Sequence, residues 1–233
     1  MLSSSLTIVA SYLRQRLALH PKRPLIVGIQ GPQGSGKTFL SSLLLQNLGS
    51  PPDALRVVVL SIDDLYLPHS GLAALASEHP QNTLLKGRGQ PGTHDVQLGL
   101  GLLDALCEAT KEVKLPSFDK SLFNGEGDRL AADDPRNVSV APPAVDIIIM
   151  EGWCLGFQNI SAELLDVKWE SEWKQERHLL GIHDEFCTKA DISQINENLV
   201  QYQKLWDRFD VFVQVSTQAL VPDCFAHEYS RCS

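Results

Sequence analysis

The chain has 233 residues, 43% hydrophobic and 21% charged, which suits one α/β domain, or one domain with a small appendage, and excludes a disordered polypeptide. Its 20 basic and 28 acidic residues give a formal net charge of -8, which disfavours broad attraction to a nucleic-acid backbone or an anionic membrane, so an anionic ligand needs a local site. Five scattered cysteines, Cys107, Cys154, Cys187, Cys224 and Cys232, contain no CxxC pair and argue against a disulfide framework or a zinc ribbon.

The first twenty residues place Leu6, Val9, Leu13 and Leu17 at helical spacing, with no basic residue ahead of the apolar part. The expectation is a helix over 1–20 and no signal peptide, with organelle targeting left open by the Ser and Arg content. No apolar run approaches the roughly 20 residues of a membrane span, so the protein is expected to be soluble and cytoplasmic. Strand-like runs then follow in order: "PLIVGIQ" at 24–30, "RVVVLSI" at 56–62, "VKLPSF" at 113–118, "VDIIIME" at 145–151 and "DVFVQV" at 210–215. Helices are expected over 36–48, 95–110 and 192–209, the last capped by Asp191. Near-continuous apolar strands alternating with helices predict a three-layer α/β sandwich with a mainly parallel sheet. Two polar, Gly-rich segments, 69–95 and 119–135, read as irregular insertions that fold over one cleft.

"GPQGSGKT", Gly31 to Thr38, matches the phosphate-loop pattern directly after the first strand and directly before a helix. In the loop Gly31, Pro32, Gln33, Gly34, Ser35 and Gly36 the glycines let successive backbone N–H groups, Pro32 having none, turn onto one concave surface, the helix N-terminus adds partial positive charge, and Lys37 supplies a mobile full charge. This is the signature of a P-loop NTPase that binds a triphosphate such as ATP. Thr38 offers a hydroxyl to Mg²⁺, and Glu151, at the end of the "IIIM" run, is the acidic handle for a metal-bound water.

Asp63 and Asp64 end the second strand in "VVVLSIDDLYLP". Adjacent strand residues face opposite ways, so one acid is expected to have a chemical role and the other a structural one. In a kinase, a carboxylate orients the acceptor hydroxyl or takes its proton, and Asp63 is the acid expected to do so. A guanine-reading NKxD segment and an LSGGQ signature are both absent from the sequence. The leading class is therefore small-molecule phosphotransfer.

Together, "GPQGSGKT", "LSIDDLYLP", "GRGQPGTHD", "LPSFDKSLFNGEGDR" and "IMEGWCLGF" resemble the glycerate kinase-like P-loop kinases of plants and fungi, relatives of uridine kinase, phosphoribulokinase and pantothenate kinase. The resemblance runs from about Pro24 to about Val215 in the family's motif order. It implies an ATP- and Mg²⁺-dependent kinase acting on a small hydroxylated metabolite, D-glycerate at its 3-hydroxyl first; the acidic balance, apart from the resemblance, leads to the expectation of no nucleic-acid and no membrane partner. It implies Asp63 as catalytic base and Asp64 as its outer partner. Asp95, preceded by His94, matches an acid that contacts acceptor hydroxyls, and it also reads as a helix cap; the two roles are compatible. A carboxylate substrate needs a cation, for which Lys120, Arg129 and Arg88 are candidates beside Asp119. Tyr66 reads as packing.

After "WDRFDVFVQV" the resemblance stops. Relatives continue with an arginine-containing lid, whereas 216–233 in this chain has neither that motif nor clean periodicity. The sequence therefore reads as a kinase domain over 1–215 followed by an atypical tail over 216–233. A missing lid arginine implies weakened phosphoryl-transfer chemistry, and the alternative reading is a nucleotide-binding pseudo-kinase or regulatory module.

Overall fold

The computed structural model describes residues 2–20, 24–182 and 186–216; most of the atypical tail, with Cys224 and Cys232, lies outside the described residues. In chain order the first half runs α1 (Leu2–Leu19), β1 (Leu25–Gln30), α2 (Lys37–Gly49), β2 (Val57–Ser61), α3 (His69–Glu78) and α4 (Val96–Glu108). Four two-residue strands follow: β3 (Val113–Lys114), β4 (Phe118–Asp119), β5 (Asp128–Arg129) and β6 (Ser139–Val140). The chain continues through β7 (Ile147–Gly152), α5 (Ala162–Glu170), α6 (Glu172–Leu179), α7 (Lys189–Trp206) and β8 (Val211–Gln214).

The central sheet has the order β2-β7-β1-β8 and is parallel throughout. Every residue of β1 and β7 is buried, as expected for strands covered on both faces. Fully buried Ile147, Ile148 and Ile149 each gain roughly 1.5–3 kcal/mol over an exposed position. On one face, Ala10, Leu13 and Leu17 of α1 and Leu40, Leu44 and Leu48 of α2 pack on Val27, Ile29, Ile147 and Ile149. These positions recur at three- and four-residue intervals, so each helix turns one apolar stripe to the sheet. On the other face, Leu102, Leu103 and Leu106 of α4 and Tyr202, Leu205 and Trp206 of α7 cover Ile26, Leu60, Ile148 and Met150. The result is the three-layer arrangement expected from the sequence. Among the described residues no helix is long and apolar enough to cross a membrane.

Three local expectations are corrected. "VKLPSF" is not a strand of the central sheet: β3 pairs antiparallel with β6, and β4 pairs antiparallel with β5, in two small ribbons. Pro116 lacks a donor and interrupts the run, and Lys114 is exposed between buried Val113 and Leu115, a half-exposed pattern unsuited to a sheet interior. The segment over 69–95 is not wholly irregular, because the Ala- and Leu-rich "HSGLAALASE" forms α3. The cap of α7 is Thr188. Asp191 occupies the third helical position and completes a capping box by accepting from the Thr188 backbone N–H at 2.8 Å.

Candidate active site

The strand order places the site. β7 lies between β2 and β1, so Glu151 is in register with Ser61 on one side and Ile29 on the other. The loop over 31–36 leaves β1 beside it, and the chain turns out of β2 into Asp63 on its far side. Gly34 and Gly36 adopt φ of 76° and 85°, a region in which only glycine is unstrained, and this coils the loop into the N-terminus of α2. At Gly31 a Cβ would stand 2.6 Å from Ser35 Oγ and 2.9 Å from the Val215 carbonyl, so only a bare backbone fits. Lys37, the first residue of α2, is buried and makes no ion pair among the described residues.

Thr38 Oγ1 donates to Glu151 Oε1 at 3.2 Å, while Glu151 Oε2 and Ser35 Oγ are buried with no hydrogen-bond partner. An orphaned carboxylate oxygen beside a phosphate loop suits a divalent cation better than a purely structural acid. Among the described residues no group of three His, Cys, Asp or Glu could hold a metal by itself. Mg²⁺ takes one or two protein oxygens and leaves its other positions to phosphate and water. Asp64 feels the negative charge of both Asp63 and Glu151, so the three carboxylates share one field that favours a cation.

Asp63 and Asp64 lie on a 3-10 turn, Ile62–Leu65, rather than on the strand itself, and their side chains diverge. Asp63 Oδ1 accepts from Tyr66 Oη at 3.2 Å, and Oδ2 accepts from Lys120 Nζ at 2.6 Å. Lys120 is 54% exposed, so an incoming hydroxyl can replace its bond at small cost. Asp64 Oδ1 accepts from the Phe118 backbone N–H at 3.0 Å and pins β4 against the turn. Burial raises the Asp64 pKa, partly offset by that bond.

The remaining sequence candidates sit around this centre. Asp95 Oδ1 caps α4 by accepting from the Leu98 N–H at 2.9 Å, and its Oδ2 accepts from Arg129 at 3.2 Å. Arg129 also donates to the Tyr66 and Leu65 carbonyls, which ties β5 to the turn that carries Asp63. His94 is buried and stacks on Tyr66 with ring centres 4.4 Å apart; its Nδ1 lies 2.8 Å from Tyr202 Oη. Asp119 accepts from Ser121 and from Arg136 at 2.6 Å, contacts that hold its pKa below the usual carboxylate range, the Ser121 hydroxyl first. Lys37, Thr38, Glu151, Asp63 and Lys120 are thus gathered along the C-terminal ends of β1, β7 and β2, while Asp64, His94 and Asp119 bond to their surroundings. Sequence reasoning gives Tyr66 only a packing role and passes over Tyr202. Tyr66 stands three residues from Asp63, a spacing that signals the contact on a 3-10 turn, whereas Tyr202 meets His94 only through the tertiary fold.

The sheet order, the phosphate loop entering α2 and the Thr38–Glu151 pair define the class, a P-loop kinase fold. Over 222 residues the chain is 34% identical to "Uncharacterized kinase mug58" of Schizosaccharomyces pombe, an alignment covering 93% of this chain and 74% of that protein. It is 31% identical over 219 residues to the chloroplastic D-glycerate 3-kinase of Arabidopsis thaliana, with 89% of this chain and 42% of that protein covered. The chain therefore spans less than half the length of the plant relative. Among solved structures, a D-glycerate 3-kinase from Cryptococcus neoformans var. grubii matches with a TM-score of 0.78 at 36% identity, covering 90% of this chain and 72% of that one. No family model matches the chain. The chain belongs to the glycerate kinase-like P-loop kinases. Membership sets it among the ATP-dependent phosphotransferases with a hydroxyl acceptor.

Proposed function

We propose that the protein transfers the γ-phosphate of ATP to a hydroxyl of a small metabolite, with the 3-hydroxyl of D-glycerate as first substrate. The observation that carries the reading is the alignment of three functional groups at neighbouring strand ends: Asp63 after β2, Glu151 on β7 and the Lys37 loop after β1. The choice of D-glycerate rests on the names of the plant and Cryptococcus relatives.

In this reading backbone N–H groups along 33–36 and the Lys37 ammonium would hold the β- and γ-phosphates, and Thr38 and Glu151 would hold Mg²⁺. When bound, Mg²⁺ supplies charge neutralisation on the phosphate oxygens. Asp63 accepts the proton of the acceptor hydroxyl; the hydroxyl oxygen forms the new bond to the γ-phosphorus, the bond to the β-phosphate oxygen breaks, and ADP leaves with that electron pair. Tyr66 holds Asp63 in orientation from behind, and Lys120 gives up its place on Oδ2 to the hydroxyl.

Lys37→Ala is expected to abolish ATP binding or turnover. Asp63→Asn is expected to retain ATP binding and to lose about 10²–10⁴ in kcat on D-glycerate. Unchanged transfer by Asp63→Asn removes the base assignment, and ATP binding without transfer to any hydroxyl metabolite by the unmodified chain leaves a nucleotide-binding module in place of a kinase.

A further inference from the structure

The carboxylate assigned as base is covered in this structure. Tyr66 Oη donates to Asp63 Oδ1 at 3.2 Å, and the Lys120 ammonium stands 2.6 Å from Oδ2. The two partners differ in kind. Tyr66 is buried and stacked on His94, so its hydroxyl is a fixed fitting, whereas the Lys120 side chain is 54% exposed and, among the described residues, has Asp63 as its one ion-pair partner. The backbone beneath Lys120 is held: the Phe118 N–H donates to Asp64, and Asp119 accepts from the Ser121 N–H at 3.0 Å and from Arg136 at 2.6 Å. The side chain can therefore swing on its four-carbon stem while its mount stays in place. Lys37, by contrast, is buried at the start of α2 and stays with the phosphate loop.

In-line transfer sets where the ammonium goes when it leaves. A base takes a proton across about 3 Å, and the attacking oxygen stands about 3–3.5 Å from the γ-phosphorus, so the phosphoryl group lies within one lysine side-chain swing of Asp63 Oδ2. We infer that Lys120 decides between a metabolite hydroxyl and water as acceptor: it covers Asp63 while the acceptor site is empty, and on acceptor binding it passes to the transferring phosphoryl group, which bares the base and supplies a cation in one movement. The inference rests on the phosphotransferase reading above and adds the control of its site. Water gains only its contact with Oδ2 by displacing Lys120, whereas a bound metabolite has contacts elsewhere in the site to offset the lost ion pair. In hydrolysis Asp63 takes a proton from water, the water oxygen bonds to the γ-phosphorus, and ADP departs with the electron pair of the broken bond; a covered Asp63 holds this back at the proton transfer. In transfer to the metabolite, the shifted ammonium meets the charge that develops on the phosphoryl oxygens.

The test uses the full chain with ATP and Mg²⁺ and follows two rates separately, ADP release without an acceptor and phosphate transfer to D-glycerate, or to the acceptor found in a panel of small hydroxyl compounds. The two rates are expected to move in opposite directions. In Lys120→Met, acceptor-free hydrolysis should rise about two- to fivefold, the most that an exposed ion pair withholds, while kcat for transfer falls about 10²-fold and the KM for ATP stays within about twofold. Lys120→Arg, which keeps a cation of similar reach, should recover most of the transfer and return hydrolysis toward the unmodified rate, a rescue that also shows the fold intact. A fall in both rates together overturns the inference, since it marks a structural role or a cation fixed on the phosphates. A raised KM for the acceptor with kcat and hydrolysis unchanged also overturns it and leaves Lys120 a plain acceptor-binding cation, with the kinase reading standing. Transfer by the unmodified chain to no hydroxyl compound overturns the kinase reading and this inference with it.

Discussion

His94 gives a prediction whose size follows from the structure. The ring is 3% exposed, is stacked on Tyr66, touches Tyr202 through Nδ1 and leaves Nε2 buried without a partner. Burial lowers its pKa to about 4, against a smaller opposing effect of the Asp63 charge. In the unfolded chain a histidine titrates near 6.5, so between about pH 6.5 and about pH 4 the unfolded state binds a proton that the folded state refuses. Stability from this residue is therefore fully present above about pH 6.5, is lost as pH falls toward about 4, and changes no further below that. The separation corresponds to about 3 kcal/mol in total, of which about 2 kcal/mol is lost between about pH 7 and about pH 4.5. Urea unfolding of the native chain and of His94→Gln across that range measures it. Gln cannot take up a proton, so the variant's stability should fall less with acid by that amount, whatever its stability at neutral pH. Parallel pH profiles for the two proteins would refute the reasoning, since the acid sensitivity would then arise elsewhere.

Two further substitutions probe the acids. Asp64→Ala removes the acceptor for the buried Phe118 N–H and should cost about 1–3 kcal/mol in chemical denaturation, whereas Asp64→Asn keeps an oxygen there and should cost less; equal losses would deny the hydrogen bond its role. Glu151→Gln should raise the Mg²⁺ concentration for half-maximal transfer about 10–100-fold with little change in Tm, and an unchanged Mg²⁺ profile would remove Glu151 from the metal site.

The parts of the fold legible in the sequence are those whose burial leaves a one-dimensional trace. β1 and β7 are covered on both faces, so their residues are uniformly apolar and stand out without any partner being known. The phosphate loop is legible for a related reason, because its glycines and Lys37 are local requirements of one turn. β3 to β6 leave no such trace: two-residue strands bury too little, and only their pairing in three dimensions defines them. α5 and α6 have no counterpart among the helices expected from the sequence. α6 has no buried residue, and exposed Val167 and Leu164 of α5 break the alternation between apolar and polar faces that a sequence reading depends on.

The two adjacent acids show how a correct expectation can rest on the wrong geometry. On a strand, Asp63 and Asp64 would part because successive side chains alternate; in the structure they part because a 3-10 turn advances about 120° per residue. The difference matters for the site. A strand would bring residues two apart onto one face, pairing Asp63 with Leu65, whereas the turn aligns residues three apart and brings the Tyr66 hydroxyl to Asp63. It also turns Asp64 toward Phe118, so one acid keeps its oxygens for Tyr66, Lys120 and an incoming hydroxyl while the other fixes the ribbon that carries Lys120. The short stretch "DDLY" thus encodes both a base and its mount, and the turn makes the two roles separable by single substitutions.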